Sequence, residues 1–230
     1  MKTTQKSADR GHTKISWLNS HHSFSFGSYF NPSAMGFRSL RVINDDRVAP
    51  GQGFGTHGHA NMEIITYVVE GALEHRDSIG TGSIIRPGDI QRMSAGQGIQ
   101  HSEFNASKTE PVRFLQIWIP PAQNDLPPSY EQKSIKPGDG KFVLLVSPDG
   151  EAGSVKVHQD ARLYSARLRA DAVLTSPLDS SRHYYLQVVT GTLSLDDQQL
   201  EEGDGVAISD ETRLELVGGR DAEVLLFELA

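Results

Sequence analysis

The sequence contains no cysteine among its 230 residues. This absence excludes disulfide bonds, thiolate metal ligands and a cysteine nucleophile. No apolar run approaches the roughly 20 residues that a membrane-spanning helix needs. The polar N-terminus also lacks the apolar core of a signal peptide. We therefore expect a cytoplasmic protein without a membrane partner.

The chain also lacks an excess of positive charge. Its 22 Lys and Arg residues are outnumbered by 29 Asp and Glu residues, which gives a formal net charge of -7. A protein that binds nucleic acid directly usually presents a basic face, and the sequence has no Lys/Arg cluster. We expect no direct contact with nucleic acid, so any role at DNA would require a protein partner.

Helical periodicity is almost absent from the sequence. Short runs rich in β-branched and aromatic residues, such as 63–70 and 114–119, alternate with glycine-containing turns. Residues 37–48 are expected to form a strand pair or one long strand, with a solvated bend around Asp45 and Asp46. This pattern is typical of an all-β barrel or sandwich.

The second half of the sequence repeats features of the first half. The matching segments are 67–73 with 186–193, 87–94 with 202–209, and 114–118 with 225–229. Between the halves, residues 120–128 contain four prolines, which cannot pair into a sheet and are expected to form a connector. The repeat therefore predicts two tandem β-barrels, with domains at 1–133 and 134–230.

Two stretches of the first half carry metal-binding side chains at a spacing of two. The first contains His57 and His59, and the second, forty residues later, contains His101 and Glu103. Alternate residues of a strand point to one face, whereas residues two apart on a helix diverge. If the two strands lie side by side in a barrel, three imidazoles and one carboxylate converge on one mononuclear metal site.

The repeat provides an internal comparison for these residues. Where the first half has its two early histidines, the second half has Ser180, Ser181 and Arg182. Residues 212–215 stand in place of the later His and Glu, and they cannot assemble an equivalent site. We therefore expect the second barrel to lack metal ligands. Since the architecture does not require these ligands, a metal-binding function is favoured over a purely structural one.

The same residues carry a resemblance to a known family. The motif His57-x-His59-x-x-x-Glu63 resembles the first cupin motif, and Gly98-x-x-His101-x-x-x-Asn105 resembles the second. The flanking segments 36–54 and 94–103 make the chain similar to the pirin family, and within it to the bacterial pirin-like quercetin 2,3-dioxygenases. The resemblance covers nearly the whole chain and implies two jelly-roll-like cupin barrels, the second of them degenerate.

In that family, the residues matching His57, His59, His101 and Glu103 hold the metal. Archetypal cupins instead use the glutamate that matches Glu63, and strand parity places Glu63 on the inner face as well. Following the pirin pattern, we expect Glu103 to be the ligand. Glu63 is then expected to orient a ligand imidazole or a water molecule. Both carboxylates are candidate catalytic residues.

Nitrogen and oxygen ligands of this kind suit a divalent transition metal rather than Ca or Mg. Fe(II) is the expected ion, with Mn, Co, Ni, Cu and Zn as alternatives. The resemblance implies O₂-dependent ring-opening of a flavonol such as quercetin, with loss of carbon monoxide. Either Glu103, or Glu63 through a water molecule, would accept the proton of the flavonol hydroxyl.

A second function remains open from the sequence, because pirin itself is described as a cofactor of transcription regulators. In this alternative, the protein senses metal or redox state and acts through a regulatory protein partner. The other histidines lack partners at ligand spacing and are interpreted as surface or ordinary hydrogen-bonding residues; they are His12, His21, His22, His75, His158 and His183. Five aromatic residues are interpreted as barrel filling rather than as a pocket; they are Phe24, Phe26, Phe54, Phe114 and Trp118.

Overall fold

Strands follow the β-branched and aromatic runs along the whole chain. The computed structural model describes residues 1–230 and contains 21 strands, two short 3₁₀ helices and no α-helix. The strands of the first part are β1 (Lys2–Gln5), β2 (Gly11–Lys14), β3 (Leu18–His22), β4 (Val42–Val48), β5 (Gly53–His59), β6 (Glu63–Glu70), β7 (Leu73–Asp77), β8 (Gly82–Ile85), β9 (Asp89–Ser94), β10 (Ile99–Asn105), β11 (Val112–Ile119) and β12 (Ser129–Ser134). Those of the second part are β13 (Gly138–Asp139), β14 (Val143–Ser147), β15 (Val155–Lys156), β16 (Ala161–Leu168), β17 (Val173–Pro177), β18 (His183–Leu195), β19 (Gln198–Glu201), β20 (Gly205–Ser209) and β21 (Arg213–Leu229). The 3₁₀ helices cover Ser7–Asp9 and Glu151–Gly153, and neither has the length and apolar character needed to cross a bilayer.

Two facing sheets form the first unit, which we call the N-terminal barrel. A four-stranded sheet has the order β5-β10-β7-β8, and a seven-stranded sheet has the order β12-β9-β6-β11-β4-β3-β2. Successive side chains of a strand point to opposite faces of its sheet. On β6, Ile64 and Val68 therefore point into the barrel, where they join its apolar clusters. Ile65 and Tyr67 point the other way, towards the second unit.

The second unit, the C-terminal barrel, is one curled sheet of ten strands. Its main path has the order β1-β20-β18-β21-β16-β14-β15, with β13 paired to β16, β17 to β21 and β19 to β18. The long strands β18 and β21 pair along most of their length, with register shifts that bend the sheet. Seventeen buried apolar side chains fill this barrel.

The repeated segments occupy equivalent positions in the two barrels. The strand order β9-β6-β11-β4 of the first corresponds to β20-β18-β21-β16 of the second. Gly71 and Gly191 have left-handed φ angles of 77° and 73°. A Cβ atom at either position would lie within 2.7 Å of a backbone carbonyl oxygen, so the chain requires glycine at both. The predicted pair of tandem β-barrels is confirmed.

The largest apolar core lies between the barrels. It contains twenty buried side chains, including Ile43 and Ile65 from the first barrel and Leu163 and Leu225 from the second. The first strand, β1, crosses over and pairs with β20 in the C-terminal barrel, whereas β12 pairs with β9 in the N-terminal barrel. Residues 2–5 therefore belong to the second sheet, and the boundary near residue 133 stays a prediction.

Asp45 and Asp46 do not form a solvated bend, and that interpretation is wrong. Strand β4 runs straight through them and pairs on both sides, with β3 and with β11. The guanidinium of Arg113 donates two hydrogen bonds of 2.9 Å to the Asp45 carboxylate. Burial raises the pKa of Asp45, but the hydrogen bonds and charge of Arg113 outweigh burial and hold that pKa below its usual value. The compensating residue lies 68 positions away, so local sequence gives no sign of it.

Candidate metal centre

Strands β5 and β10 are antiparallel neighbours, and their register brings the predicted histidines together. His57 lies directly opposite His101, and His59 lies opposite Ile99. Residues directly opposite each other in such a pair project from the same face of the sheet. Because His57 and His59 are two apart on one strand, all three imidazoles point to the same side.

The spacing of the three rings suits one shared ion. Their centroids are 4.7 Å apart for His57 and His59, 4.4 Å for His57 and His101, and 4.9 Å for His59 and His101. The Nε2 atoms of His57 and His101 are separated by 3.1 Å. Two nitrogens that coordinate one ion at right angles, each about 2.1 Å from it, lie about 3 Å apart. One nitrogen from each ring lies within 4.8 Å of the other two.

The imidazoles of His59 and His101 are held in the neutral form that metal ligation requires. Burial, followed by the neighbouring His57, lowers the pKa of His59 to about 4. Burial and the adjacent histidines lower the pKa of His101 to about 3. His57 Nδ1 donates a hydrogen bond of 2.8 Å to the carbonyl oxygen of Gly55, which leaves its Nε2 lone pair for the centre. A proton therefore does not compete for His59 or His101 at neutral pH.

Glu103 lies two residues after His101 on β10 and points to the same face. Its side chain is only 3% exposed, and its Oε2 atom accepts a hydrogen bond of 2.8 Å from Gln116 Nε2. Burial raises the pKa of this carboxyl to about 7. A carboxylate oxygen of Glu103 lies within 4.8 Å of ligand nitrogens of His75 and His101, as a second group beside the three histidines. His101 therefore belongs to both groups. One group contains His57, His59 and His101, and the other places Glu103 next to His101.

Glu63 does not share the inner face with the histidines, and the parity prediction for it is wrong. It points to the same side of β6 as Ile65, towards the C-terminal barrel, and it is 1% exposed. Its Oε2 accepts hydrogen bonds from Ser94 Oγ at 2.9 Å and from His158, through the backbone nitrogen at 3.1 Å and Nδ1 at 3.2 Å. Glu63 therefore links the two barrels, and none of its hydrogen bonds goes to a candidate ligand imidazole.

His75 is a neighbour of the centre that spacing rules did not identify. It lies on β7 opposite Glu103 in register, it is fully buried, and its ring is 5.4 Å from that of His101. Its Nε2 atom pairs with Asp77 at 3.0 Å, while its Nδ1 atom has no hydrogen-bond partner. Burial lowers the pKa of His75 despite Asp77. Only the pairing of β7 with β10 reveals this residue, because no local motif contains it.

A cavity of about 200 Å³ opens from the histidines into the barrel. Phe26, Phe54 and Trp118 line it, whereas Phe24 and Phe114 lie in apolar clusters outside it. The ring of Trp118 packs edge-on against His59 at 5.0 Å. The interpretation of the aromatic residues as mere filling is thus wrong for the three that line the cavity. Its polar wall comes from β3, β4 and β11, on the facing sheet.

The donor set fits a transition-metal ion. Three imidazoles face one point, with a buried carboxyl beside them and space for a ligand next to them. Both groups of three or more potential ligands with suitable spacing lie in the N-terminal barrel. The fold and this site define the chain as a bicupin with a candidate metal centre in its first barrel.

Comparison with known proteins identifies the family. Residues 3–119 match the family model described as Pirin, and residues 144–229 match that of the quercetinase C-terminal cupin domain. The quercetin 2,3-dioxygenase of Escherichia coli (strain K12) is 46% identical over 225 residues, which cover 98% of this chain and 97% of that protein. The chain belongs to the pirin family.

Solved structures agree with this assignment. The crystal structure of YhhW from Escherichia coli has a TM-score of 0.96 at 45% identity and covers 100% of this chain and 98% of that one. The crystal structure of bacterial pirin YhhW in complex with nickel(II), also from Escherichia coli, has a TM-score of 0.94 at 45% identity, with 100% and 99% coverage.

Proposed function

We propose that this protein is a metal-dependent dioxygenase that opens the ring of a flavonol such as quercetin with O₂. The observation that carries the proposal is the convergence of three imidazoles on one point beside a cavity with aromatic walls. The relative from Escherichia coli that bears the name quercetin 2,3-dioxygenase supports the same substrate class.

His57, His59, His101 and Glu103 would hold the ion in this proposal. A divalent transition metal bound there supplies a Lewis acid and a template for a substrate oxygen and O₂. Fe(II) is the proposed ion, and the nickel(II) complex of a relative supports a permissive ligand set. The neutral state of His59 and His101 leaves their nitrogens free for ligation at physiological pH.

Glu103 would also accept the proton of the flavonol hydroxyl. Burial raises the pKa of this carboxyl to about 7 in the metal-free protein, so a Glu103 oxygen that is not coordinated to the ion could accept the proton of the flavonol hydroxyl near neutral pH. Gln116 donates to Oε2 of Glu103 and accepts from Thr66, which fixes the orientation of the carboxyl. Glu63 has no part in this step, because its carboxylate is bound to Ser94 and His158.

The aromatic wall would orient the flat substrate and exclude water. Phe26 and Trp118 pack edge-to-face at 5.3 Å, and Trp118 in turn packs on His59. An aromatic ring of the substrate that packs against these side chains removes apolar surface from water. The reaction consumes flavonol and O₂ and gives a ring-opened product and carbon monoxide.

A turnover experiment with defined metals tests the proposal. Metal-free protein is reloaded with one metal at a time, and loss of the flavonol absorption band is measured together with O₂ uptake and carbon monoxide release. We expect the three quantities to be equal and to require both metal and O₂. Flavonol loss without carbon monoxide, or no turnover with any of the six metals, would contradict the dioxygenase and leave the metal- or redox-sensing role.

A further inference from the structure

The cavity contains a second buried carboxyl that the proposed reaction does not use. Asp46 lies on β4, on the sheet that faces the histidine strands, and it lines the same cavity. Its side chain is 4% exposed, and its Oδ1 atom is fully enclosed without a hydrogen-bond partner, which leaves Oδ2 as the oxygen that faces the cavity. A buried acceptor without a partner is costly, and native proteins retain few of them.

The groups around Asp46 do not relieve this cost. No Lys, Arg or His lies within ion-pair distance of it, and the neighbouring Asp45 points away and pairs with Arg113. Asn44, which points the same way, is engaged by His22 Nδ1 at 2.7 Å, and His22 Nε2 accepts from Thr13 at 2.9 Å. These polar neighbours already have partners within the protein. Burial raises the pKa of the Asp46 carboxyl and outweighs the nearby hydroxyl of Ser20, which lowers that pKa, and Oδ1 has no hydrogen-bond partner.

The position of Asp46 suits contact with a ligand that is held at the histidines. The cavity is lined by residues of β5 and β10 and by residues of β4, so one bound molecule can contact both sheets. At the β4 end, Ser20 lies opposite Asp46 in register and adds a hydroxyl to the wall. A carboxyl in this place accepts a hydrogen bond from a hydroxyl whether or not it carries a proton itself.

We propose that Asp46 is a specificity-determining residue that accepts a hydrogen bond from a second substrate hydroxyl, remote from the one at the metal. The site then selects polyhydroxylated aromatic compounds over analogues that carry only the metal-directed hydroxyl. This inference rests on the proposed function for the identity of the substrate class. It adds a polar contact on the β4 wall of the cavity, where an analogue without that hydroxyl leaves the Asp46 carboxyl without this contact.

Two variants separate this role from a structural one. Asp46→Leu has a similar branched shape but no oxygen, and it removes an unpaired buried group, so it is expected to fold. Asp46→Asn keeps an acceptor oxygen at the same place and is the matched control. Metal content and melting temperature are measured for each variant before ligand is added.

The decisive readout is a ratio of dissociation constants. Calorimetry on Ni(II)-loaded protein without oxygen gives Kd for quercetin and for 3-hydroxyflavone, which carries only the hydroxyl beside its carbonyl. We expect Asp46→Leu to reduce the preference for quercetin by at least about tenfold. Asp46→Asn is expected to stay within about threefold of wild type. An equal loss for both ligands, or no loss, would overturn the inference.

Turnover of the same two compounds distinguishes this inference from the proposed function. If wild type shows the Asp46-dependent preference but turns over neither flavonol, the hydroxyl contact stands and the dioxygenase proposal fails. If wild type turns over both and Asp46→Leu leaves their ratio unchanged, the dioxygenase stands and the hydroxyl contact fails. Failure of wild type to bind either compound overturns both.

Discussion

The Nε2 atoms of His57 and His101 lie 3.1 Å apart, although 44 positions separate the two residues in the chain. Their strands pair so that the two residues are exact cross-strand partners, and both side chains lean to one side of the sheet. The site therefore depends on the pairing of β5 with β10, and each strand supplies ligands at alternate positions.

Protonation of Glu103 is expected to compete with metal binding. Burial raises the pKa of this acid to about 7, so it holds a proton below that pH and an ion must displace it. Because Glu103 must lose its proton, the apparent metal affinity should rise about tenfold per pH unit up to about pH 7. Above that pH it should level off. His59 and His101 have pKa values of about 4 and 3 and add nothing above pH 5.

Calorimetry in buffers of different ionisation enthalpy measures the proton released on metal binding. Glu103→Gln should release about one proton fewer than wild type at pH 6, and the two should agree at pH 8.5. The same proton release in both proteins at pH 6 would rule out Glu103 as the ligand that loses it.

Glu63 is expected to matter for stability and not for metal content. Glu63→Ala removes the acceptor of Ser94 Oγ and of the His158 backbone, and leaves these donors buried at the interface. The free energy of unfolding should fall by about 1–3 kcal/mol, whereas Glu63→Gln keeps one acceptor oxygen and should lose less. Urea unfolding and elemental analysis measure the two effects. Loss of the metal from folded Glu63→Gln would restore the archetypal cupin ligand set.

The buried pair of Arg113 and Asp45 is expected to show strong coupling. Arg113→Met leaves the Asp45 carboxylate buried without its bidentate partner and should lower the free energy of unfolding by about 3 kcal/mol. The double variant Asp45→Asn/Arg113→Met should recover part of this loss, because the buried carboxylate is neutralised, although Arg10 also loses its partner at Asp45. If the losses of the single variants Asp45→Asn and Arg113→Met add up to the loss of the double variant, the pair is not coupled.

The pH dependence of this pair follows from the direction of its pKa shift. The pKa of Asp45 in the folded state is below its usual value because Arg113 offsets burial. Its contribution is therefore present above about pH 4, the unfolded value, and is lost as pH falls through the folded value. The stability difference between wild type and Arg113→Met should shrink below pH 4 in acid titrations.

Strand parity predicted the histidine cluster because each motif lies within one strand. His57 and His59 share β5, and His101 and Glu103 share β10, so the alternation of side chains holds. The tandem repeat likewise predicted the duplicated barrel, since the turn glycines and apolar runs recur in order. The alternation of ligands within a strand and the recurrence of glycines and apolar runs can both be read from the sequence without knowledge of the strand pairing.

Parity failed for Glu63 because a turn separates it from His59. Strand β5 ends at His59 and β6 begins at Glu63, and between them Asn61 has a left-handed φ angle of 50°. The alternation of side chains along a strand does not continue across such a turn, because the chain changes direction and enters another sheet there. On β6, the residue that points towards the cavity is Ile64, the neighbour of Glu63.

Burial of polar side chains was the other feature that the sequence did not reveal. Asp45, Asp46 and His75 resemble residues of solvated turns or edges, yet all three are buried. They are surrounded by strands that lie 20 to 70 positions away in the chain. Their burial therefore follows from the register of the sheets and not from the residues next to them in sequence. A single sequence specifies that register only through the complete set of strand pairings.

Metal content tests the central claim most directly. Protein stripped of metal is incubated with excess divalent ion, desalted and analysed by mass spectrometry of the elements. We expect one equivalent in wild type and in His12→Ala, whose exposed ring stacks on His21 and forms a hydrogen bond with Asn19, away from the candidate ligands. His57→Ala and His101→Ala should each retain far less than one equivalent while keeping the far-ultraviolet spectrum of a β protein. A full equivalent retained by folded His101→Ala would contradict the account.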